Sequence, residues 1–235
     1  MTGKLSSKLT ASHDLASNSE VDTFLAELKT LTTPERAVRG RLIFALDATA
    51  SRQPTWDSAC ELQAEMFREG AASGGLDLQL VYYRGSGECR ASSWISQPGQ
   101  LAKIMTQIAC HAGHTQIRKV LSHAQKETRL LQVNALVFIG DAVEENPDSL
   151  AHQASELGRL GVPAFLFQEG HDPEVEQTFR ELARLTRGAY SRFDANAVGQ
   201  LAELLRAVAV YAAGGVTALA ARHEAGATRL LQQLK

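Results

Sequence analysis

Residues 41–51 read RLIFALDATAS, Arg41 to Ser51, and their interpretation decides the fold. Leu42, Ile43, Phe44, Ala45 and Leu46 form an unbroken apolar run that ends abruptly in Asp47, with hydroxyls following at alternate positions, Thr49 and Ser51. A short apolar run bounded by polar residues predicts a strand buried on both faces, as in the middle of a parallel sheet. Open α/β sheets place their ligands at the C-terminal ends of such strands. An acid and two hydroxyls there either bind something or cap the next helix.

A second strand of the same kind lies far downstream. Val133–Ile139, VNALVFI, is equally apolar and ends in Gly140-Asp141. Between the two, the periodicity predicts a helix from Trp56 to Gly70, a strand over Leu76–Tyr83, and a turn at Arg84-Gly85-Ser86-Gly87 returning along a polar strand, Glu88–Ile95. A helix over Gln100–Ala109 and a break at Cys110–His114 follow, after which Thr115 opens another helix. Beyond Asp141 come a helix over Asp148–Leu160, a strand over Val162–Phe167, a helix over Pro173–Thr186, a strand over Ala189–Phe193 and a closing helix over Val198–Ala213.

This alternation predicts a Rossmann-like, doubly wound α/β fold. Its six-stranded sheet is mainly parallel, with one short antiparallel edge strand and helices on both faces. In a sheet of order 3-2-1-4-5-6, strands one and four are neighbours at the switch point. Asp47 and Asp141 are then expected to face each other across one crevice. The expected organisation is a disordered N-terminus (1–18), an N-terminal helix (19–36), the α/β domain (37–215) and a C-terminal helical tail (216–235).

Bulk properties narrow the function. A net charge of −2 over 235 residues gives no reason to expect a nucleic-acid partner. Three cysteines without a CxxC pair argue against a disulfide framework or a zinc site and suit a reducing compartment. The first twenty residues lack the apolar core of a secretory signal, so a cytoplasmic location is expected. The most apolar long stretch, Leu204–Ala221, is interrupted by Arg206 and Gly214-Gly215, short of the roughly 20 apolar residues a membrane span needs.

Asp47-x-Thr49-x-Ser51, Thr115 after the Gly113 loop, and Asp141 after an apolar strand together resemble the metal-ion-dependent adhesion site (MIDAS) of von Willebrand factor A (VWA) domains, of the bacterial cytoplasmic type. The resemblance covers about 38–215. The family's middle serine is Thr49 here, which keeps a hydroxyl, and Ala142 follows Asp141 where the family often has glycine. The resemblance implies metal ligation by Asp47, Thr49, Ser51, Thr115 and Asp141, with a partner protein's Asp or Glu completing the shell. It also implies a binding module without turnover, beside an ATPase or in an assembly complex. Independently of the family, two carboxylates and three hydroxyls form a hard oxygen set suited to Mg²⁺ or Mn²⁺, with Ca²⁺ possible. His114 and Glu144, flanking the site, are candidate partner contacts.

Asp47-x-Thr49 followed by Gly140-Asp141-x-x-x-Glu145 also resembles the haloacid-dehalogenase phosphotransferases. That reading implies an Mg²⁺-dependent phosphatase with Asp47 as nucleophile. Against it, Thr49 stands where most such enzymes carry a second acid, and Lys119 and Lys126 are predicted on a surface helix.

Overall fold

The computed structural model describes residues 39–194 and 198–234. The expected N-terminal segments, 1–18 and 19–36, lie outside the described residues.

Among the described residues six strands form one sheet: β1 (Gly40–Asp47), β2 (Leu76–Arg84), β3 (Glu88–Ala91), β4 (Ala135–Gly140), β5 (Ala164–Glu169) and β6 (Ala189–Phe193). Their order is β3-β2-β1-β4-β5-β6, parallel throughout except for β3 against β2. This is the expected switch-point topology. Among the described residues seven helices accompany the sheet: α1 (Gln53–Ala72), α2 (Pro98–Met105), α3 (Ile117–Leu130), α4 (Pro147–Arg159), α5 (Pro173–Thr186), α6 (Val198–Ala220) and α7 (Ala225–Leu231).

β1 is buried along its whole length because it feeds a core on each face. Leu42, Phe44 and Leu46 alternate into the core under α1, α2, α6 and α7, while Ile43 and Ala45 enter the one under α3, α4 and α5. Close approach replaces side chains where α6 crosses β1. A Cβ on Gly40 would stand 2.1 Å from the Ala212 carbonyl oxygen.

Several boundaries differ from expectation, some because a side chain distant in sequence takes a backbone polar group and some through a local proline or glycine. The antiparallel strand stops at Ala91, because the Ser92 hydroxyl takes the Leu80 N–H that a ladder carbonyl would accept; the chain re-pairs once, Ile95 with Leu78. The helix expected over Gln100–Ala109 ends at Met105. Past it, Arg84 claims the Ala109 carbonyl and the Gln53 side chain accepts from the Cys110 N–H, drawing the chain off the helix axis. Pro54 in the first turn lets α1 start at Gln53, ahead of Trp56. The closing helix passes Gly214 and turns at Gly215, whose φ of 70° suits glycine.

The Gly199–Ala220 stretch is long and apolar enough to cross a membrane by length and composition, and half of it is buried inside the fold. Beyond the turn, Leu219, Ala227 and Leu230 are buried in the α1/α6 core, so the tail packs on its own domain.

Candidate metal centre

The register of β1 fixes the site's first residue and its support. Asp47 pairs with Tyr83 across the parallel β1/β2 ladder. The buried Tyr83 hydroxyl donates to Asp47 Oδ2 at 3.1 Å, and the Thr49 N–H donates to Oδ1 at 2.7 Å. A turn of 3₁₀-helix, Ala50–Arg52, then carries Ser51 toward the neighbouring loop. The Ser51 hydroxyl donates to Asp141 Oδ2 at 3.3 Å, and the Thr49 and Ser51 hydroxyls lie 3.5 Å apart. The pairing of β1 with β4 thus joins two acids distant in sequence.

Thr115 comes from a third loop, and the chain secures it from two sides. Gly113 lies against the β2–β3 turn so closely that a Cβ would stand 2.2 Å from the Gly85 nitrogen, and the His114 N–H donates to the Gly85 carbonyl at 3.1 Å. On the other side, Glu144 and Thr115 bond reciprocally. The Thr115 N–H donates to Glu144 Oε2 at 2.8 Å, and the Glu144 N–H donates to Thr115 Oγ1 at 2.9 Å. Thr115 was expected to open a helix, but α3 begins at Ile117. Its first amides, Ile117 and Arg118, donate to Glu145 at 2.6 and 2.9 Å. A cap borrowed from the β4–α4 loop replaces a local one.

Asp47, Thr49, Ser51, Thr115 and Asp141 all line one hollow of about 310 Å³, walled otherwise by Glu144 and by the small residues Ala50, Ala112, Gly113 and Ala142. All five sequence-derived candidates are therefore brought together. Among the described residues no group of three or more His, Cys, Asp or Glu side chains could hold a metal. The set has only two such residues and gains its other donors from hydroxyls. Asp47 is 3 % exposed, and burial pushes its carboxyl above its ordinary value. The Thr49 amide opposes that shift and the nearby Asp141 charge adds to it. A buried acid whose ionisation is disfavoured, beside a second carboxylate and three hydroxyls in an open hollow, fits a hard divalent cation.

Three supporting residues were not recognised as such in the sequence. Arg52 is 2 % exposed; its guanidinium pairs with Glu169 and lies 3.6 Å from Asp141, the one ion pair either site acid makes among the described residues. Its Nε has no partner, and Thr55 also donates to Glu169. Tyr83, in the sequence simply the last residue of a predicted strand, is fully buried. Its phenol is kept protonated by burial and then by the Asp47 charge, so it remains a donor. Glu145, a metal-holding acid in the phosphatase reading, has its carboxylate committed to the first amides of α3. No single-residue signal marks these roles; the Asp47–Tyr83 register would have exposed one. His114 is 73 % exposed on the rim, its Nδ1 3.2 Å from Glu144 Oε2.

No protein-family model matches the sequence, and no curated protein matches it. Solved structures match in fold. The VWA domain of SpRpn10 superposes with a TM-score of 0.55 at 10% identity, over 70% of this chain and 95% of that one. An aerotolerance-related membrane protein from Bacteroides fragilis gives 0.53 at 17%, over 69% and 98%. Proximal thread matrix protein 1 from the mussel byssus, solved with a zinc-occupied MIDAS motif, gives 0.56 at 14%, over 82% and 52%. Identities this low carry the architecture alone, and the strand order agrees with it: the chain has the von Willebrand factor A fold.

Proposed function

We propose that this chain is a non-catalytic, cytoplasmic interaction module. It holds Mg²⁺ or Mn²⁺, with Ca²⁺ admissible, at Asp47, Thr49, Ser51, Thr115 and Asp141, and recognises an acidic side chain of a partner protein. The observation that carries the reading is the convergence of five oxygen-bearing side chains from three loops on one open hollow. Five side-chain donors, three of them neutral hydroxyls, leave a six-coordinate divalent cation one position short, and an external carboxylate can fill it.

The chain's own residues prepare that position. Tyr83 and the Thr49 amide hold the Asp47 carboxylate in one orientation. Glu144 holds the Thr115 loop, and His114 on the rim is placed to meet the incoming partner. An ATPase or assembly complex is the partner class the family resemblance suggests.

The phosphatase alternative is weaker. Thr49 offers no general acid, and Glu145 is engaged by two backbone amides. Lys119 is tied to Gly87 and Gln116, and Lys126 is exposed.

Thermal melting with and without Mg²⁺ or Mn²⁺ tests the metal step. Saturating cation should stabilise the wild type by about 2.7 kcal/mol at a hundredfold excess over Kd, and Asp47→Ala or Ser51→Ala should reduce or remove the shift. Acetate added to the Mn²⁺ complex should displace bound water and lower proton relaxivity. An unchanged melting curve at excess cation overturns the metal site, and unchanged relaxivity overturns carboxylate recognition. Metal-dependent hydrolysis of an aryl phosphate, lost in Asp47→Asn, would establish the enzyme instead.

A further inference from the structure

The two edges of the sheet are finished differently. β6 is covered by the chain's own tail: the Gln233 side-chain amide accepts from the Tyr190 N–H and donates to the Tyr190 carbonyl, both at 2.9 Å, as a neighbouring strand would. β3, at the opposite edge, has no strand on its outer side among the described residues.

Between β3 and α3 lies a hollow of about 260 Å³. Its floor is small and apolar, Val81, Cys89 and Ala91, while Arg90, Arg118, Lys119 and Lys126 stand around it and no carboxylate lines it. The chain as a whole carries a net charge of −2, so this concentration of cations is local.

The neighbouring acids are committed elsewhere. Glu88 pairs with Arg84 and Arg90, Glu127 accepts from Trp94 and Arg41, and Glu145 caps α3. Lys119 donates only to neutral oxygens, those of Gly87 and Gln116, which leaves its charge uncompensated. The side chains of Arg118 and Lys126 make no hydrogen bond or ion pair among the described residues. Burial of Arg118 or Lys126 does not explain them, since both are exposed.

The spacing suits an extended ligand. Arg118, Ser122 and Lys126 recur every four residues on one face of α3, and eight residues of helix rise about 12 Å. Four residues of strand advance about 13 Å and return to the same face. Acids at the first and fifth positions of an added strand therefore match Arg118 and Lys126.

We propose that the open edge of β3 and the cationic face of α3 form a docking surface for an extended acidic segment of a partner protein. The segment adds an antiparallel or parallel strand to β3 and sets carboxylates against Arg118 and Lys126. Main-chain bonds supply affinity and the cations select for acidic side chains. None of the five candidate metal donors takes part, so this surface stands or falls apart from the metal reading.

The probe is a fluorescein-labelled octapeptide of alternating threonine and glutamate, titrated with the full chain and followed by fluorescence anisotropy at low salt. Saturable binding is expected, weakened roughly tenfold in Arg118→Glu/Lys126→Glu. It should vanish when alternate peptide amides are N-methylated, and persist in Asp47→Ala and in chelator. Arg118→Gln/Lys126→Gln, checked by melting, covers a folding defect in the charge-reversed protein. Failure of the peptide to bind, or equal binding by the charge-reversed or N-methylated forms, overturns the proposal. So does equally effective displacement by inorganic phosphate or oligothymidylate, which would mark a generic anion or nucleic-acid surface.

Discussion

Asp47 sits at the buried end of β1 with both carboxylate oxygens engaged, yet its carboxyl is raised above the ordinary 3.8 by burial. For an acid raised in this way the folded state disfavours the ionised form. Without metal, stability is highest below the ordinary value and falls as pH rises from 3.8 through the raised one. Melting curves in chelator across the acidic range should show this decline, and Asp47→Asn, which removes the charge, should melt at or above the wild type at neutral pH while losing its metal response. Arg52 behaves oppositely. Arg52→Met leaves the partly buried Glu169 without its cation and should cost about 2–3 kcal/mol, read by denaturant unfolding, with Glu169→Gln in the same chain recovering part of the loss. Thr49, Ser51 and Asp47 were legible in the sequence because their chemistry and spacing are local. Arg52 was not, because its meaning depends on Glu169 and Asp141 arriving from two other strands.

At the scale of elements, helix and strand identities followed from periodicity, and α5 and β6 fall on the expected residues, Pro173–Thr186 and Ala189–Phe193. Asp172 accepts from the Glu174 N–H and Pro173 follows it, so the start of α5 is written locally. At the end of α2 and the start of α3 a distant group had taken over a backbone polar atom, while Pro54 and Gly215 moved the bounds of α1 and α6 locally. α3 is the functional case: its cap comes from Glu145, so Glu145→Ala should cost about 1 kcal/mol and loosen the Thr115 loop, seen as faster amide exchange at Thr115–Arg118 and a smaller metal-induced melting shift. The tail is the structural case. Gln233→Ala unpairs the Tyr190 N–H and carbonyl on β6 and should cost about 1–2 kcal/mol, with concentration-dependent association in sedimentation as the uncovered edge finds another.

For the whole molecule, both faces of the sheet carry apolar cores that do not involve the candidate metal donors. Chelation should therefore lower the melting temperature without unfolding the domain, so that the buried Trp56, whose indole N–H donates to the Met105 carbonyl at 3.1 Å, keeps its emission maximum. A red shift in chelator would mean that the cation is structural. The strand order was readable in the sequence, since the two most apolar strands belong in the centre and right-handed crossovers leave few arrangements. The sequence by itself determined the α/β class, the central strands and the oxygen donors at their ends, because hydrophobic period and side-chain chemistry are properties of short windows. Only the tertiary structure decided that Tyr83 faces Asp47, that Arg52 is shared by Glu169 and Asp141, that Glu144 and Glu145 hold the Thr115 loop, and that the tail covers β6 while no strand among the described residues covers β3. Each of these is a pairing of polar groups across long stretches of chain. Which donor meets which acceptor is fixed by strand register and helix packing, and those are settled by the burial of the two cores taken together.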